Sequence, residues 1–371
     1  MPKISVITPV YNGEKYLRET AESLINQTFK DWEWVVINDG SKDHTAEILN
    51  EYENDLRLRV IHQTNAGEAS ARNNGLNHAL GEYIGFLDAD DLYTPNALRD
   101  LSDYLDSHPE IGVVFSDGYV CDSDGNTISR LTEHRPGIHQ GNILEALVID
   151  ASVLTVPVCT LTRRLWVEKH AFRFDPNLVI GPDWDFWIRL SAVMPFGYLD
   201  KITCKYRVHE TNITRLSGKQ KRRLDLLYGR EKVLNSDFFE ELSISTRRRF
   251  FYFLLLRLLH DLPDQQEKSI QHPRFLEMPD IIKGSIYRQM AASAVVNDLP
   301  FPWANNLINL AFISNPNIKT RLLRYLFKLG NSQAKRFIRF WQKGIAIRED
   351  ILALWKPRPK PVSSRLGPIG N

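Results

Sequence analysis

The sequence predicts an α/β fold, a mostly parallel sheet flanked by helices and followed by a helical C-terminal extension. Three observations carry this expectation. Short apolar runs alternate with amphipathic segments over the first 120 residues, which is the rhythm of βαβ units. Polar, glycine-bearing turns follow the first and second runs and a cluster of carboxylates follows the fourth, and such sheets bind ligands at the carboxyl ends of their strands. From about residue 216 onward the pattern turns helical and increasingly basic.

The first buried strand is expected over Ile4–Thr8, running into Pro9-Val10-Tyr11-Asn12-Gly13. A helix over Glu14–Thr28 follows, with Leu17, Ala21, Leu24 and Ile25 as its apolar positions. Trp34–Asn38 is the second strand, ending in Asn38-Asp39-Gly40-Ser41, and Thr45–Tyr52 the next helix. Leu58–His62, helix Ala69–Leu80, Tyr83–Leu87, helix Pro95–Leu105 and Val113–Ser116 continue the alternation. Asp124-Gly125 then reads as a hairpin turn. Residues 140–215 are mixed, with a helix signal around Asp183–Met194 and a strand-like run from Gly197. The expected organisation is a catalytic domain over 1–215, a basic helical region over 216–355, and a Pro-rich extended or disordered tail over 356–371.

Net charge looks bland, at 47 Lys and Arg against 45 Asp and Glu. That total hides a split: residues 319–371 hold 13 basic and two acidic side chains, leaving 34 basic and 43 acidic in 1–318. A basic tail on an acidic body points to an anionic surface as partner. Hydrophobic content of 43% excludes disorder throughout. Cys121, Cys159 and Cys204 form no CxxC pair, and an odd number leaves a free thiol, which suits a reducing compartment. The N-terminal residues lack a signal-peptide layout, and the apolar run Phe250–Leu256 is far short of the ~20 residues a spanning helix needs. The expected location is therefore cytoplasmic.

Three strand ends bearing carboxylates, amides and glycine turns make a ligand crevice. Asp88-Ala89-Asp90-Asp91 is the most informative, because three carboxylates in four residues repel one another unless a cation or a set of donors compensates. On an extended backbone residues 88 and 90 point the same way, as a hard divalent cation requires of its oxygen ligands. The competing reading is a solvated acidic loop ahead of the helix that begins near Pro95.

Ile4-Ser5-Val6-Ile7-Thr8-Pro9-Val10-Tyr11-Asn12, Val36-Ile37-Asn38-Asp39-Gly40-Ser41, Asn65-Ala66-Gly67 through Ala71-Arg72-Asn73, and Phe86-Leu87-Asp88-Ala89-Asp90-Asp91 resemble the ordered motifs of the family 2 glycosyltransferases. The resemblance implies a GT-A fold, with a mixed, mostly parallel sheet, over about residues 3–215. It also implies that Thr8, Pro9, Tyr11 and Asn12 line the nucleotide pocket, with Tyr11 a stacking face for the base. Asp39 would accept a hydrogen bond from the base, usually uracil. Arg72 would lie near the nucleotide phosphates, Asp88 would bind ribose or sugar hydroxyls, Asp90 would hold Mn²⁺ or Mg²⁺, and Asp91 would support it.

Gly181-Pro182-Asp183-Trp184-Asp185-Phe186-Trp187 is similar to the family's acceptor-side motif, with Pro182 in place of the usual glutamate. Asp183 falls on the general base, with Asp185 as the fallback; a helix cap is the alternative reading of Asp183. Trp184 and Trp187 are candidates to stack on a sugar, at least one of them expected to be structural. Tyr206-Arg207-Val208-His209-Glu210-Thr211-Asn212 resembles the family's closing segment, which implies Arg207 facing the diphosphate and His209 at the diphosphate or metal. With period two, Arg207 and His209 share a side.

The activity implied is an inverting, metal-dependent transfer from a nucleotide-diphosphate sugar, UDP-linked by the family's habit. The acceptor would be a hydroxyl of a glycan or lipid-linked molecule in the synthesis of cell-surface polysaccharide or glycoconjugate. Residues 317–343 read as two basic amphipathic helices broken at Gly330-Asn331, which fits a protein lying on the inner face of the cell membrane. A terminal subdomain docked on the catalytic domain fits them as well. No nucleic-acid motif is found, and neither G-x-G-x-x-G nor a P-loop occurs. The remaining alternatives are a related sugar-nucleotide enzyme and a non-catalytic sugar- or lipid-binding module with a decayed site.

Overall fold

The computed structural model describes residues 1–154, 156–261, 269–296, 298 and 301–340. Nine strands form one sheet: β1 (Ile4–Val10), β2 (Trp32–Asn38), β3 (Leu58–His62), β4 (Tyr83–Phe86), β5 (Leu92–Tyr93), β6 (Val113–Cys121), β7 (Thr127–Arg130), β8 (Thr160–Arg163) and β9 (Phe196–Arg207). Their order is β3-β2-β1-β4-β8-β6-β9-β5, with β7 paired to β6. The first four are parallel neighbours, β8 runs antiparallel between β4 and β6, and β6 and β9 are parallel. The sheet is mixed, as expected, and parallel throughout its β3-β2-β1-β4 half. Strands β1 and β2 are buried along their whole length, which explains why they are mostly apolar and why Ser5, Thr8 and Glu33 within them are buried too. The β6–β7 hairpin turns at Gly125, whose φ of 83° favours glycine. β5 and β8 were not anticipated, because runs of two and four residues are too short to show a period.

Helices α1 (Leu17–Ile25), α2 (Thr45–Asn50), α3 (Glu68–His78) and α4 (Ala97–Ser107) fill the crossovers. α1 buries Leu17, Ala21 and Leu24, and α4 buries Leu98, Leu101 and Leu105, at the i, i+3, i+4, i+7 spacings of a docked face. α3 comes close to β1 at Gly75, where a methyl group would run into the Ile7 side chain. Farther along come α5 (Leu144–Ile149), α6 (Arg164–Lys169), α7 (Pro182–Ser191), α8 (Ile213–Leu216) and α9 (Lys219–Asn235). Phe86, Phe174, Phe186 and Trp187 pack ring against ring at centroid distances of 4.2–6.2 Å, fastening α7 to β4.

The chain divides into two compact units, 1–250 and 251–371, within α10 (Ile244–Asp261). The boundary expected at 215 falls inside the first unit, because α9 is bonded into it. Asp225 on α9 accepts the backbone N–H groups of Val179 and Ile180 (3.1 and 3.0 Å), and Lys232 pairs with Asp175 and Asp185 (2.7 and 2.8 Å). The apolar run after Arg249 is core, with Phe250, Phe251, Leu254 and Leu255 buried.

The second unit holds α11 (Pro273–Leu276), α12 (Asp280–Val296), α13 (Phe301–Ser314), α14 (Ile318–Lys328) and a further helical stretch over 331–340. α12 and α13 pack through small buried residues, among them Gly284, Ala291, Ala304 and Ala311. Asn317 caps α14 by accepting the Thr320 N–H at 3.0 Å. The break expected at Gly330-Asn331 is present, Gly330 having a φ of 110°. Residues 341–343 of the second basic helix, the rest of the helical region to 355 and the Pro-rich 356–371 lie outside the described residues. Among the described residues no helix is long and apolar enough to cross a membrane.

Candidate active site

Because β2, β1 and β4 are adjacent and parallel, the turns after Asn38, Val10 and Phe86 open on one edge of the sheet. The first two turns interlock. The Asn12 N–H donates to Ser41 Oγ at 3.0 Å, Asn12 Oδ1 accepts the Lys42 N–H at 2.8 Å, and the Gly13 N–H donates to Thr45 Oγ1 at 2.9 Å. Asn12 takes a φ of 52°, tolerated by an amide side chain bonded locally. Tyr11 stands half-exposed beside it, and Pro9 is buried within β1. Thr8 is corrected: β1 continues to Val10, so Thr8 lies inside the strand, fully buried, its hydroxyl accepting the Trp34 indole N–H at 2.8 Å. Its side chain belongs to the sheet rather than to a pocket wall.

Asp39 is buried and accepts three donors: Gln63 Nε2 at 2.7 Å and the backbone N–H groups of Ala66 and Gly67 at 2.8 and 2.9 Å. The carboxylate therefore positions the loop that leads into α3, and it explains why Asn65-Ala66-Gly67 accompanies Asp39 in the sequence.

The acidic loop is a turn, with the Asp91 N–H bonded to the Asp88 carbonyl at 3.0 Å. The extended-backbone expectation fails, and Asp88 and Asp90 meet different partners. Asp88 receives Arg72 at 2.6 Å, and the same guanidinium nitrogen reaches Glu68 at 2.5 Å. Arg72 is 2% exposed, and its Nε has no partner among the described residues. Burial opposes its charge, but Asp88, Glu68 and Asp183 together hold it protonated. Burial also pushes the Glu68 carboxyl up to about 7, against the pull of Arg72. Asp91 is buried and accepts the Arg207 N–H at 2.9 Å; burial, then the charges of Asp90 and Asp88, raise its carboxyl well above the ordinary range.

Asp90 Oδ2 meets His209 Nε2 at 2.8 Å and Asn212 Nδ2 at 3.2 Å. Thr211 Oγ1 pairs with His209 Nδ1 at 2.8 Å, and the Tyr16 ring lies tilted against the imidazole at 4.8 Å. Arg207 is corrected: it is 1% exposed and spends its guanidinium on the Asp90 carbonyl, the Ser123 carbonyl and Glu19, at 2.9, 2.9 and 2.6 Å. Arg207 and His209 do share a side: the guanidinium lies 4.5 Å and the imidazole 4.8 Å from the Tyr16 ring, both residues bond Asp90, and the chain turns only after His209. A carboxylate oxygen and an imidazole nitrogen converging on one point suit a divalent cation that takes its remaining ligands from diphosphate and water. Among the described residues no group of three or more His, Cys, Asp or Glu converges that way.

Across the crevice, Gly181 has a φ of 79° and Pro182 opens α7, so Asp183 sits in the first turn rather than at the cap. Burial pushes the Asp183 carboxyl above its ordinary value, while Arg72 pulls it back. Asp185, the fallback base, is 5% exposed and engaged by Arg189 and Lys232 at 2.7 and 2.8 Å. Both tryptophans are structural: Trp184 donates its indole N–H to the Leu147 carbonyl at 2.8 Å, and Trp187 is fully buried among aromatic rings.

A family model described as glycosyl transferase family 2 matches residues 5–170. An uncharacterised glycosyltransferase of Methanocaldococcus jannaschii is 33% identical over 212 residues, which are 56% of this chain and 71% of that protein. The chain belongs to glycosyl transferase family 2. This family 2 glycosyltransferase is also 32% identical over 213 residues to the chondroitin synthase of Escherichia coli, covering 57% of itself but only 30% of that protein. Among solved structures, residues 1–349 of Staphylococcus aureus TarS in complex with UDP-GlcNAc superpose with a TM-score of 0.56 at 20% identity, covering 92% of each chain. The fold is GT-A. Residues the sequence did not single out also shape the glycosyltransferase's site: Glu68, Tyr16, Glu19, Asn212 and Asp225. Glu68 carried a signal, four residues before Arg72 on one helix face, and Asn212 stood at the end of the closing motif without a role.

Proposed function

We propose that the enzyme transfers a sugar from a nucleotide-diphosphate donor, UDP-linked, to a hydroxyl of a glycan or lipid-linked acceptor in a single inverting displacement. The observation that carries this reading is the placement of Asp183: a carboxylate raised by burial, at the start of α7, electrostatically coupled to the Arg72–Asp88 pair of the donor side. A raised carboxylate that Arg72 still holds within reach of ionisation is suited to take a proton from an acceptor hydroxyl near neutral pH.

In this reading Tyr11 lies under the base, and Asp39 keeps the 63–67 loop in register and offers its remaining acceptor capacity to the base. Asn12 lines the same end, with Pro9 buried in β1 behind it. Asp88, oriented by Arg72, takes ribose or sugar hydroxyls. Asp90 and His209 would hold Mn²⁺ or Mg²⁺, which when bound supplies positive charge to the departing diphosphate. Arg207 acts behind them, fixing the Asp90 backbone. Asp183 as a single base fits the inverting transfer that membership of the family implies. The relative that makes chondroitin supports a polysaccharide or glycoconjugate product, and the basic C-terminal region supports a cytoplasmic enzyme at an anionic membrane surface.

Radiolabelled UDP-sugars incubated with Mn²⁺ and a glycan or lipid-linked acceptor test the assignment. Transfer that disappears in Asp183→Asn while donor binding remains supports it; transfer at the wild-type rate by that variant would overturn it.

A further inference from the structure

Helix α14 carries two apolar faces instead of one. Thr320, Leu323 and Phe327 point into the second unit and are buried. On the opposite side Ile318, Leu322, Tyr325 and Leu329 follow one another at steps of four, three and four residues and are 81, 46, 60 and 49% exposed. A helix that merely finishes a subdomain shows a polar outer face. Exposed Lys319 borders the outer stripe on one side, and exposed Arg321 and Lys328 border it on the other. No acidic residue occurs from 299 to 348.

We propose that this stripe docks on an anionic lipid leaflet, its four apolar side chains entering the headgroup–acyl boundary and the three flanking cations meeting lipid phosphates. The inference deepens the membrane part of the reading above and rests on it, while standing apart from the transfer chemistry. Charge selects the occupant. A second copy would set the same cations against each other. Residues 341–371 carry six Lys and Arg against two acids, so the chain's own C-terminus is repelled as well. Nucleic acid would satisfy the cations but leave Ile318, Leu322 and Leu329 in water. A leaflet with anionic headgroups satisfies both sets at once.

The test is co-sedimentation of the full chain with vesicles of phosphatidylcholine alone, and with about one third phosphatidylglycerol. Binding to the anionic vesicles is expected to be at least about tenfold tighter and to weaken with salt. The double substitution Leu322→Glu and Tyr325→Glu should weaken it about tenfold or more, with an unchanged circular dichroism spectrum and melting curve. A second variant, Arg321→Glu with Lys328→Glu, should lose the preference for anionic vesicles. Absence of binding by the full chain, or wild-type binding by the Leu322/Tyr325 variant, overturns the proposal. So does conversion of a dimer to a monomer by that variant with vesicle binding intact, since the face would then join copies of the chain. Vesicle binding is read without substrate, so Asp183→Asn should leave it unchanged, and the two readings fail separately.

Discussion

At the scale of single residues, the site is governed by one buried cation. Arg72 touches Glu68 and Asp88 and acts electrostatically on Asp183, so its removal leaves carboxylates buried without a counter-charge. Arg72→Met is expected to destabilise the fold by about 3–5 kcal/mol, read by urea unfolding. Asp183→Asn is expected to keep stability and lower transfer at least about 100-fold, read by initial rates at saturating donor. Glu68 gives a pH signature. Its carboxyl lies at about 7 in the folded chain against an ordinary 4.5, so between those values the folded state holds a proton that the unfolded chain releases. Stability from this group therefore falls as pH rises through that window. Glu68→Gln removes the dependence, and its stability relative to wild type should climb between about pH 5 and about pH 8 in denaturation series. A flat difference between the two would contradict the assignment.

At the scale of elements, α3 is placed by contact more than by propensity. Gly75→Ala would ordinarily favour a helix by about 1 kcal/mol. Here the new methyl meets the fully buried, β-branched Ile7, which cannot swing away. A net loss of about 1–2 kcal/mol is expected, with weaker donor binding as Arg72 shifts with its helix, checked by unfolding and donor titration. The same elements show what was legible in the sequence. β1, β2 and β4 were readable because burial on both faces makes a strand mostly apolar, and the turns after them hold the candidate site groups in consecutive residues. The role of Thr8 was not readable, because it depended on where a strand stops, which periodicity leaves open by two residues or more. That of Arg207 was not readable because its partners, the Asp90 and Ser123 carbonyls and the Glu19 carboxylate, come from segments far away in sequence. β8 and β5 were too short to carry any period.

At the scale of the whole molecule, ligand affinity should appear as heat stability. The described residues offer a cation only Asp90 and His209 at the expected point, so Mn²⁺ alone should bind weakly. Mn²⁺ with UDP should raise the melting temperature by several degrees, since ligand at about 100 times its Kd adds about 2.7 kcal/mol. Thermal-shift curves with metal, nucleotide and both would show this, and chelation should reverse it; an equal shift from UDP with and without metal would argue against the pair as a cation site. Charge distribution at this scale was legible by counting, while the outward stripe of α14 was not. The heptad-like spacing of Ile318, Leu322, Tyr325 and Leu329 is visible in sequence, but which side of the helix faces inward is decided by α13.

The hydrogen bonds from the loop before Asp183 to Asp225 reach a helix that begins after the last recognisable motif. A fragment ending at 215 would keep every group proposed for the reaction and lose the peg from which the loop leading into α7 and Asp183 hangs. Exchanging catalytic modules between such enzymes at that seam would therefore transplant a donor site intact and leave its acceptor side slack. The heritable unit of this chemistry is longer than its signature.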